Sequence, residues 1–120
     1  MNIDYIPTFG DLVFIDFDPA RGVEIKKRRP AVVVSIKGYS QVTPLCVVVP
    51  ITSAKNNNFR KNGYLVQLEN YKVSGWINPL QIYSFDYRNR KIEKVDQLRA
   101  VELAKVLDIL SQIIPFDRLD

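Results

Sequence analysis

The sequence predicts a mainly-β domain, a small, strongly bent sheet or barrel closed by a C-terminal helix. Two observations favour this fold class. Short strand-like runs recur through residues 10–95, and from Asp96 onward the apolar residues recur every three or four positions instead. The length of 120 residues and a hydrophobic content of 47% suit one domain with one modest core, so we expect a single unit over residues 1–120.

The strand-like runs differ in strength. Residues 10–18 alternate with apolar groups on both faces, as in a buried strand, and residues 31–36 and 45–51 are β-branched runs typical of central strands. Residues 64–68 resume as a strand, whereas 74–77 and 80–85 are weaker because Pro79 lacks a backbone donor. Between these runs we expect a long basic loop at residues 19–29 and turns rather than regular structure at residues 54–63.

The spacing predicts an amphipathic helix over about residues 96–114, with Asp96 as N-cap and Pro115 marking its end. Its default role is to cover one side of the sheet, and the alternative is a recognition element. The positions expected to face the core are Leu98, Val101, Ala104, Leu107, Leu110, Ile113 and Ile114. Those expected on the solvated face are Arg99, Glu102, Lys105 and Asp108.

The net charge of +4 is unevenly distributed. Residues 1–20 carry four acidic residues and no basic one, whereas residues 21–72 carry ten basic and two acidic residues, a net charge of +8. This pattern favours a polyanion or an acidic partner, although solvated loop residues would give the same composition. Because five of the bases fall within residues 21–30, the clustering favours binding.

Several chemistries are excluded by composition. The five glycines form neither a P-loop nor a dinucleotide fingerprint, and a chain without histidine has no Ser-His-Asp triad and no histidine-based ribonuclease couple. Cys46 lies in a run of valines and is expected to be a small buried hydrophobe, with a reactive thiol as the alternative. A single cysteine and no histidine exclude intrachain disulfides and Cys/His metal sites. With no apolar run near the roughly 18 residues of a membrane helix and no secretion signal, we expect a cytosolic protein.

Several segments, taken in order, match one family. They are Gly10–Val13, Asp16–Pro19, Arg21–Glu24, Arg29–Ser35 and Pro50–Ser53, followed by Gln81-Ile82, Asp86 and Arg88. Over nearly its whole length the chain resembles the MazF/PemK (Kid-like) toxins of type II toxin–antitoxin modules. The resemblance implies an SH3-like barrel with a C-terminal helix and a homodimer. It also implies an antitoxin whose acidic, disordered C-terminal segment occupies an RNA groove, and sequence-selective cleavage of single-stranded RNA without metal or cofactor.

The resemblance also implies site residues. Arg29 and Thr52 correspond to the two catalytic positions, and Glu24 to the glutamate of the first loop. Their chemistry fits: a guanidinium and a hydroxyl stabilise charge on phosphate oxygens when a 2′-OH attacks the phosphorus, leaving 2′,3′-cyclic phosphate and 5′-OH ends. Because arginine is a poor base near neutral pH, we expect Glu24 to orient or accept the 2′-OH proton. A structural ion pair for Arg29, a strand-end hydroxyl for Thr52 and simple charge neutralisation for Glu24 remain alternatives.

Single-stranded RNA is bound by phosphate contacts and base stacking, so basic and aromatic residues are the candidates. Phe59 is expected to stack a base, whereas Phe14, Phe17, Trp76 and Phe85 are expected in the core or a dimer interface. The predicted phosphate contacts are Arg21, Lys26, Lys27, Arg28, Lys55, Arg60 and Lys61.

Two other function classes compete with the ribonuclease. A non-enzymatic gyrase poison of the CcdB type would share the fold, but those proteins resemble one another in a Trp-Gly-Ile ending, whereas this chain ends Arg118-Leu119-Asp120. An SH3-like adaptor without catalysis would leave Arg29 and Thr52 unexplained.

Overall fold

A computed structural model describes residues 5–18, 27–53 and 58–116, the side chains of Asp18, Lys27, Asn58 and Arg60 excepted. Its strands are β1 (Asp11–Asp18), β2 (Lys27–Val33), β3 (Leu45–Thr52), β4 (Val66–Leu68), β5 (Gly75–Ile77), β6 (Tyr83–Asp86) and β7 (Glu93–Gln97). Its helices are α1 (Lys37–Val42), α2 (Asn58–Lys61) and α3 (Ala100–Ile113). No helix in these ranges is both long and apolar enough to cross a membrane.

All strand pairs are antiparallel, in the order β4-β5-β3-β2-β1-β7, with β6 also paired to β3. Strand β3 is central because β2 lies on one edge of it, while β6 and β5 follow one another along the other edge. The curled sheet with a C-terminal helix confirms the predicted fold class.

The sheet buries apolar side chains on both faces, which explains why β1 and β3 read as nearly continuous apolar runs. The face covered by α3 forms what we call the helix-side core: Leu12, Val32, Val49, Ile51, Val66, Leu68, Ile77, Leu98, Val106, Ile109 and Leu110. The opposite face forms what we call the aromatic-side core: Val13, Ile15, Ala31, Val33, Cys46, Val48, Phe85 and Tyr87. Cys46 is fully buried, as predicted, and burial raises the pKa of its thiol to about 12.

Two predicted irregular segments contain regular structure. Strand β2 begins at Lys27, so the predicted loop over residues 19–29 was wrong at its C-terminal end, and β2 ends at Val33 rather than at residue 36. Residues 58–61 form the short helix α2 where only turns were expected. Helix α1 was not predicted; its Ser40 hydroxyl donates to the Leu45 carbonyl (2.8 Å), a contact with the following strand that spacing does not reveal.

The start of the C-terminal helix was also predicted wrongly. Asp96 belongs to β7, which pairs with β1, and α3 begins at Ala100 with Arg99 as its N-cap residue. The Asp96 carboxylate instead accepts hydrogen bonds from the backbone amides of Lys72 (2.9 Å) and Gln97 (2.9 Å), and these bonds lower its pKa. Because β7 is mostly polar, its sequence did not predict a strand. Pairing with β7 nevertheless provides backbone hydrogen-bond partners for the outer edge of β1.

The buried face of α3 differs from the predicted one. The helix-side core contains Val106, Ile109 and Leu110 of α3, whereas Val101 and Leu107 are exposed. The predicted apolar face was counted from Leu98, which precedes the helix, and so it was assigned to the wrong side of α3. Ala104, Ile113 and Ile114 are exposed as well.

Glu102, predicted to face solvent, is buried in the first turn of α3. Its carboxylate accepts a hydrogen bond from the Tyr71 hydroxyl (2.7 Å) and pairs with Arg99 (3.5 Å). Burial alone would raise the pKa of Glu102, but the hydrogen bond from Tyr71 and the charge of Arg99 lower it overall. This network attaches the start of α3 to the segment after β4.

Candidate functional site

Arg29 lies in β2 on the aromatic-side face of the sheet. Its register partner in β1 is Ile15, and it shares its face with Ala31 and Val33, both members of the aromatic-side core. The guanidinium carbon of Arg29 lies 5.1 Å from the ring centroid of Phe17, within cation–π range. Among the described residues, no carboxylate forms an ion pair with Arg29.

Phe17 belongs to a cluster of three aromatic rings. Its ring meets those of Tyr83 and Phe85 edge to face, each with a centroid separation of 5.1 Å, and these two rings lie 5.3 Å apart. Such T-shaped contacts fix ring orientation as well as bury area. Phe85 is therefore a core residue as predicted, while Phe17 forms a platform beneath the guanidinium of Arg29.

Arg90 contacts both the backbone that carries Phe17 and the neighbouring ring of Phe85. Strand β1 has a bulge between Asp16 and Asp18, and the Arg90 side chain donates hydrogen bonds to the carbonyl oxygens of Asp16 (3.1 Å) and Phe17 (2.7 Å). The guanidinium of Arg90 also lies 3.9 Å from the centroid of Phe85. The bulge redirects the chain at Phe17, and Arg90 satisfies the carbonyls exposed there. Sequence reasoning missed Arg90, because its partners are more than seventy residues away.

Thr52 ends β3 on the same face as Arg29. The register pairs Ala31 with Pro50, so two further residues along each strand bring Arg29 opposite Thr52. Alternation agrees, because Thr52 has the same parity as Val48, an aromatic-side residue. By register and alternation, Arg29 and Thr52 share one face of the sheet, and their catalytic roles stay a prediction.

Gly75 lets β5 approach β3 at this point. Its φ is +131°, and a Cβ on Gly75 would lie 2.8 Å from the carbonyl oxygen of Thr52 and 3.0 Å from Cγ2 of Ile51. Only glycine tolerates both the backbone conformation and the contact. The pairing of Thr52 with Trp76 in β5 depends on this close approach.

Arg28, the neighbour of Arg29, points to the other face. Its guanidinium pairs with Asp16 (3.2 Å), its register partner in β1, and with Glu93 in β7 (3.3 Å). The Asp16 side chain is only 4% exposed, whereas that of Glu93 is 66% exposed. Arg28 therefore neutralises a buried carboxylate, and its predicted role in binding RNA stays a prediction.

The remaining predicted site residues are only partly described. Phe59 and Lys61 lie exposed on α2, which follows β3 in the chain. Glu24, Arg21, Lys26 and Lys55 lie outside the described residues, as do the side chains of Lys27 and Arg60.

Comparisons with known proteins agree on one family. Residues 8–114 match the family model described as PemK-like, MazF-like toxin of type II toxin-antitoxin system. The chain is 47% identical over 49 residues to the endoribonuclease toxin MazF of Escherichia coli K12, a match that covers 41% of this chain and 44% of that relative. It therefore spans less than half the length of that relative. It is 29% identical over 107 residues to endoribonuclease PemK of Escherichia coli, covering 88% of this chain and 80% of PemK.

Solved structures give the same result for the fold. A chain in the crystal structure of MazE-MazF (Form-II) from Deinococcus radiodurans matches with a TM-score of 0.82 and 33% sequence identity. The match covers 95% of this chain and all of that one. The likeness extends over both cores and α3, so the half-barrel with its C-terminal helix is the fold shared with these relatives.

Proposed function

The chain belongs to the family of PemK-like, MazF-like toxins of type II toxin–antitoxin systems, and from this premise we propose that it is a toxin that cleaves single-stranded RNA. The reaction is sequence-selective and independent of metal, and it inhibits translation and growth. Relatives named endoribonuclease support the reaction class.

The observation that best supports the proposal is the β2–β3 register, which ends at Ala31 and Pro50 and, continued by two residues along each strand, sets Arg29 and Thr52 on one face. The guanidinium of Arg29 lies over the ring of Phe17 and forms no ion pair with any described carboxylate, which supports a role in binding an anion. A planar guanidinium donates two parallel hydrogen bonds to phosphate oxygens, and a hydroxyl donates a third.

In the proposed reaction the ribose 2′-oxygen attacks the adjacent phosphorus while the bond from phosphorus to the 5′-oxygen breaks. The 2′-OH loses its proton, and the leaving 5′-oxygen gains one. The products are a 2′,3′-cyclic phosphate and a 5′-OH end, with no water consumed in this step. Arg29 and Thr52 stabilise the charge that develops on the nonbridging oxygens, and losing one such donor typically costs about 2.7–4 kcal/mol of transition-state stabilisation.

We propose that the carboxylate of Glu24 orients or accepts the proton of the 2′-OH. An arginine with a solution pKa above roughly 12 remains protonated near neutral pH and cannot accept a proton there. Glu24 lies five residues before Arg29 and is the only acidic residue in the basic segment 21–30. The pH–rate profile of Glu24→Gln tests the assignment: the acidic limb of the wild-type profile should disappear, and an identical limb in the variant would refute it.

The proposal includes the partners. The chain acts in the cytosol as a homodimer and is inhibited by a cognate antitoxin whose acidic, disordered segment competes with RNA for the basic residues. The MazE-MazF complexes among the structural neighbours support an antitoxin partner.

Incubation of the purified protein with a defined single-stranded RNA in EDTA tests the activity. We expect cleavage that persists in EDTA, is lost in Arg29→Ala and falls at least about 100-fold in Thr52→Ala. Lys105→Ala, which removes an exposed cation from α3, is the matched control and should cleave normally. RNA that stays intact with every variant, together with inhibition of DNA gyrase, would support the gyrase poison instead.

A further inference from the structure

We propose that Trp76 and Gln67 extend the site across two more strands and hold a nucleobase of the RNA beside the cleaved phosphate. This inference rests on the proposed ribonuclease function. It gives Trp76 the role of a stacking platform and Gln67 that of a specificity-determining residue.

The sheet register aligns these side chains in one row. Trp76 of β5 is the direct partner of Thr52 in β3 and also the direct partner of Gln67 in β4. Directly opposed residues of antiparallel strands project to the same face, with Cβ atoms about 4.5–5.5 Å apart. A transverse row therefore runs from Thr52 through Trp76 to Gln67, and continuing the β2–β3 register by two residues adds Arg29 at its end.

The row faces away from the helix-side core. The alternate residues on these strands, Ile51, Ile77 and Val66, are buried in that core and form the matching inner row. Trp76 and Thr52 therefore lie on the opposite face, where both are only partly buried, while Gln67 is exposed. Trp76 was expected in the core or a dimer interface; it belongs to neither described core, and the dimer interface stays a prediction.

The spacing suits a nucleotide. If Arg29 and Thr52 hold the phosphate, Trp76 lies about one strand spacing, roughly 5 Å, beyond Thr52. A ribose bridges a phosphate and its base over a comparable distance. The close approach of Gly75 to the Thr52 carbonyl keeps β5 at that spacing, so the indole is held by the strand and not by a loop.

The chemistry separates the two roles. An indole presents a large π face on which any base stacks, so Trp76 contributes affinity with little base preference. The amide of Gln67 offers both donors and an acceptor, which match the edges of an unpaired base. The guanidinium of Arg29 on this face favours a polyanion over an uncharged ligand.

Trp76 is the only tryptophan of the chain, so its fluorescence reports on its own surroundings. We expect quenching when the protein binds an oligonucleotide that contains the cleaved sequence and carries 2′-O-methyl groups, which prevent cleavage. Trp76→Ala should raise the Kd for that oligonucleotide about 5- to 150-fold, and Trp76→Phe should recover most of the loss. Phe116→Ala, which removes an exposed aromatic ring after α3, is the control and should bind normally.

Cleavage-site sequencing tests Gln67. Gln67→Ala should relax the preference for one base next to the cut, because cleavage of the best wild-type site falls while cleavage of sites with other bases at that position does not. Since Gln67 is exposed, its removal should not disturb folding, and thermal unfolding of every variant verifies this.

The outcomes are separable from those of the proposed function. If the wild type neither binds nor cleaves RNA, the ribonuclease proposal fails before Trp76 is examined. If the wild type cleaves RNA, but a folded Trp76→Ala variant shows unchanged Kd and unchanged cut sites, the stacking role is refuted while the ribonuclease stands. Unchanged RNA binding combined with loss of inhibition by the antitoxin would assign the row to a protein partner and overturn the inference.

Discussion

Replacing Arg28 by methionine should destabilise the fold without weakening RNA binding specifically. Methionine keeps much of the aliphatic stem while removing the cation that pairs with Asp16 at 3.2 Å. Because the Asp16 side chain is 4% exposed, its carboxylate would lose its ionic partner in a place with little water. Because Arg28 and Arg29 are adjacent in β2, the Arg28→Met variant tests whether the two side chains have different roles.

The expected magnitude follows from the burial of the pair. Removing one partner of a fully buried ion pair typically costs about 3–5 kcal/mol. The Arg28 side chain is 36% exposed, so water screens the pair and the expected loss falls to about 1–3 kcal/mol. The second bond of Arg28, to the largely exposed Glu93, adds little.

Urea unfolding of Arg28→Met, Asp16→Asn and the double variant measures the coupling between the two side chains. We expect the double variant to be destabilised by clearly less than the sum of the single variants. The salt dependence of RNA affinity provides the second measurement, since each lost phosphate contact reduces the slope of log K against log salt by about 0.7 for a single strand. Lys61→Met, which removes an exposed cation, is the control expected to reduce it.

The reasoning would be refuted by the opposite pattern. If Arg28→Met unfolds at the wild-type urea concentration while its salt slope falls by about 0.7, Arg28 is a phosphate contact and its ion pair with Asp16 contributes nothing measurable. The sequence-based prediction for Arg28 would then be confirmed.

Three further predictions concern Phe17, Gly75 and Cys46. Phe17→Leu removes the ring 5.1 Å from the Arg29 guanidinium and should lower kcat/KM about 2- to 30-fold, measured on a defined RNA; a wild-type value would show that the ring does not position Arg29. Gly75→Ala should lose about 1–3 kcal/mol of unfolding free energy in urea because of its φ of +131° and the contact with β3, whereas Gly38→Ala, with no such conflict, should not. Cys46, with a pKa raised by burial to about 12, should resist alkylation at pH 8 until the protein unfolds. The stability that comes from burying the neutral thiol of Cys46 is complete below the ordinary pKa of about 8.5 and is lost as pH rises toward 12. Rapid alkylation of the native protein would contradict the burial of Cys46.

The strands with strong apolar runs were predictable from local sequence. Strands β1 and β3 were found because both of their faces are buried. Strand β7 was not found, because its sequence Glu-Lys-Val-Asp-Gln is mostly polar and its pairing is decided by the free edge of β1. The buried Glu102 was missed for a similar reason, since its partner Tyr71 lies 31 residues away.

The site was predictable only in part. Arg29 and Thr52 were predicted from residue type and family resemblance; the β2–β3 register, continued beyond Ala31 and Pro50, agrees with their sharing one face, and their roles stay a prediction. Trp76 and Gln67 could not be added from sequence, because strands of three residues carry no periodicity that fixes their partners. Their alignment with Thr52 is a property of the sheet, produced by β3 exchanging β6 for β5 along one edge.

The start of β2 at Lys27 changes how the basic segment is interpreted. In a loop, Arg28 and Arg29 would be equivalent contacts for a polyanion, and composition treats them so. In a strand, successive side chains project to opposite faces, so one arginine meets the buried Asp16 while the next reaches Phe17 and the face of Thr52. Moving the start of β2 by one residue relative to β1 would exchange the two roles, leaving Asp16 unneutralised and the proposed site without its guanidinium. The Arg28 pair with Asp16 therefore favours the β1–β2 register that puts Arg29 on the face of Phe17, together with the buried apolar pattern of both strands.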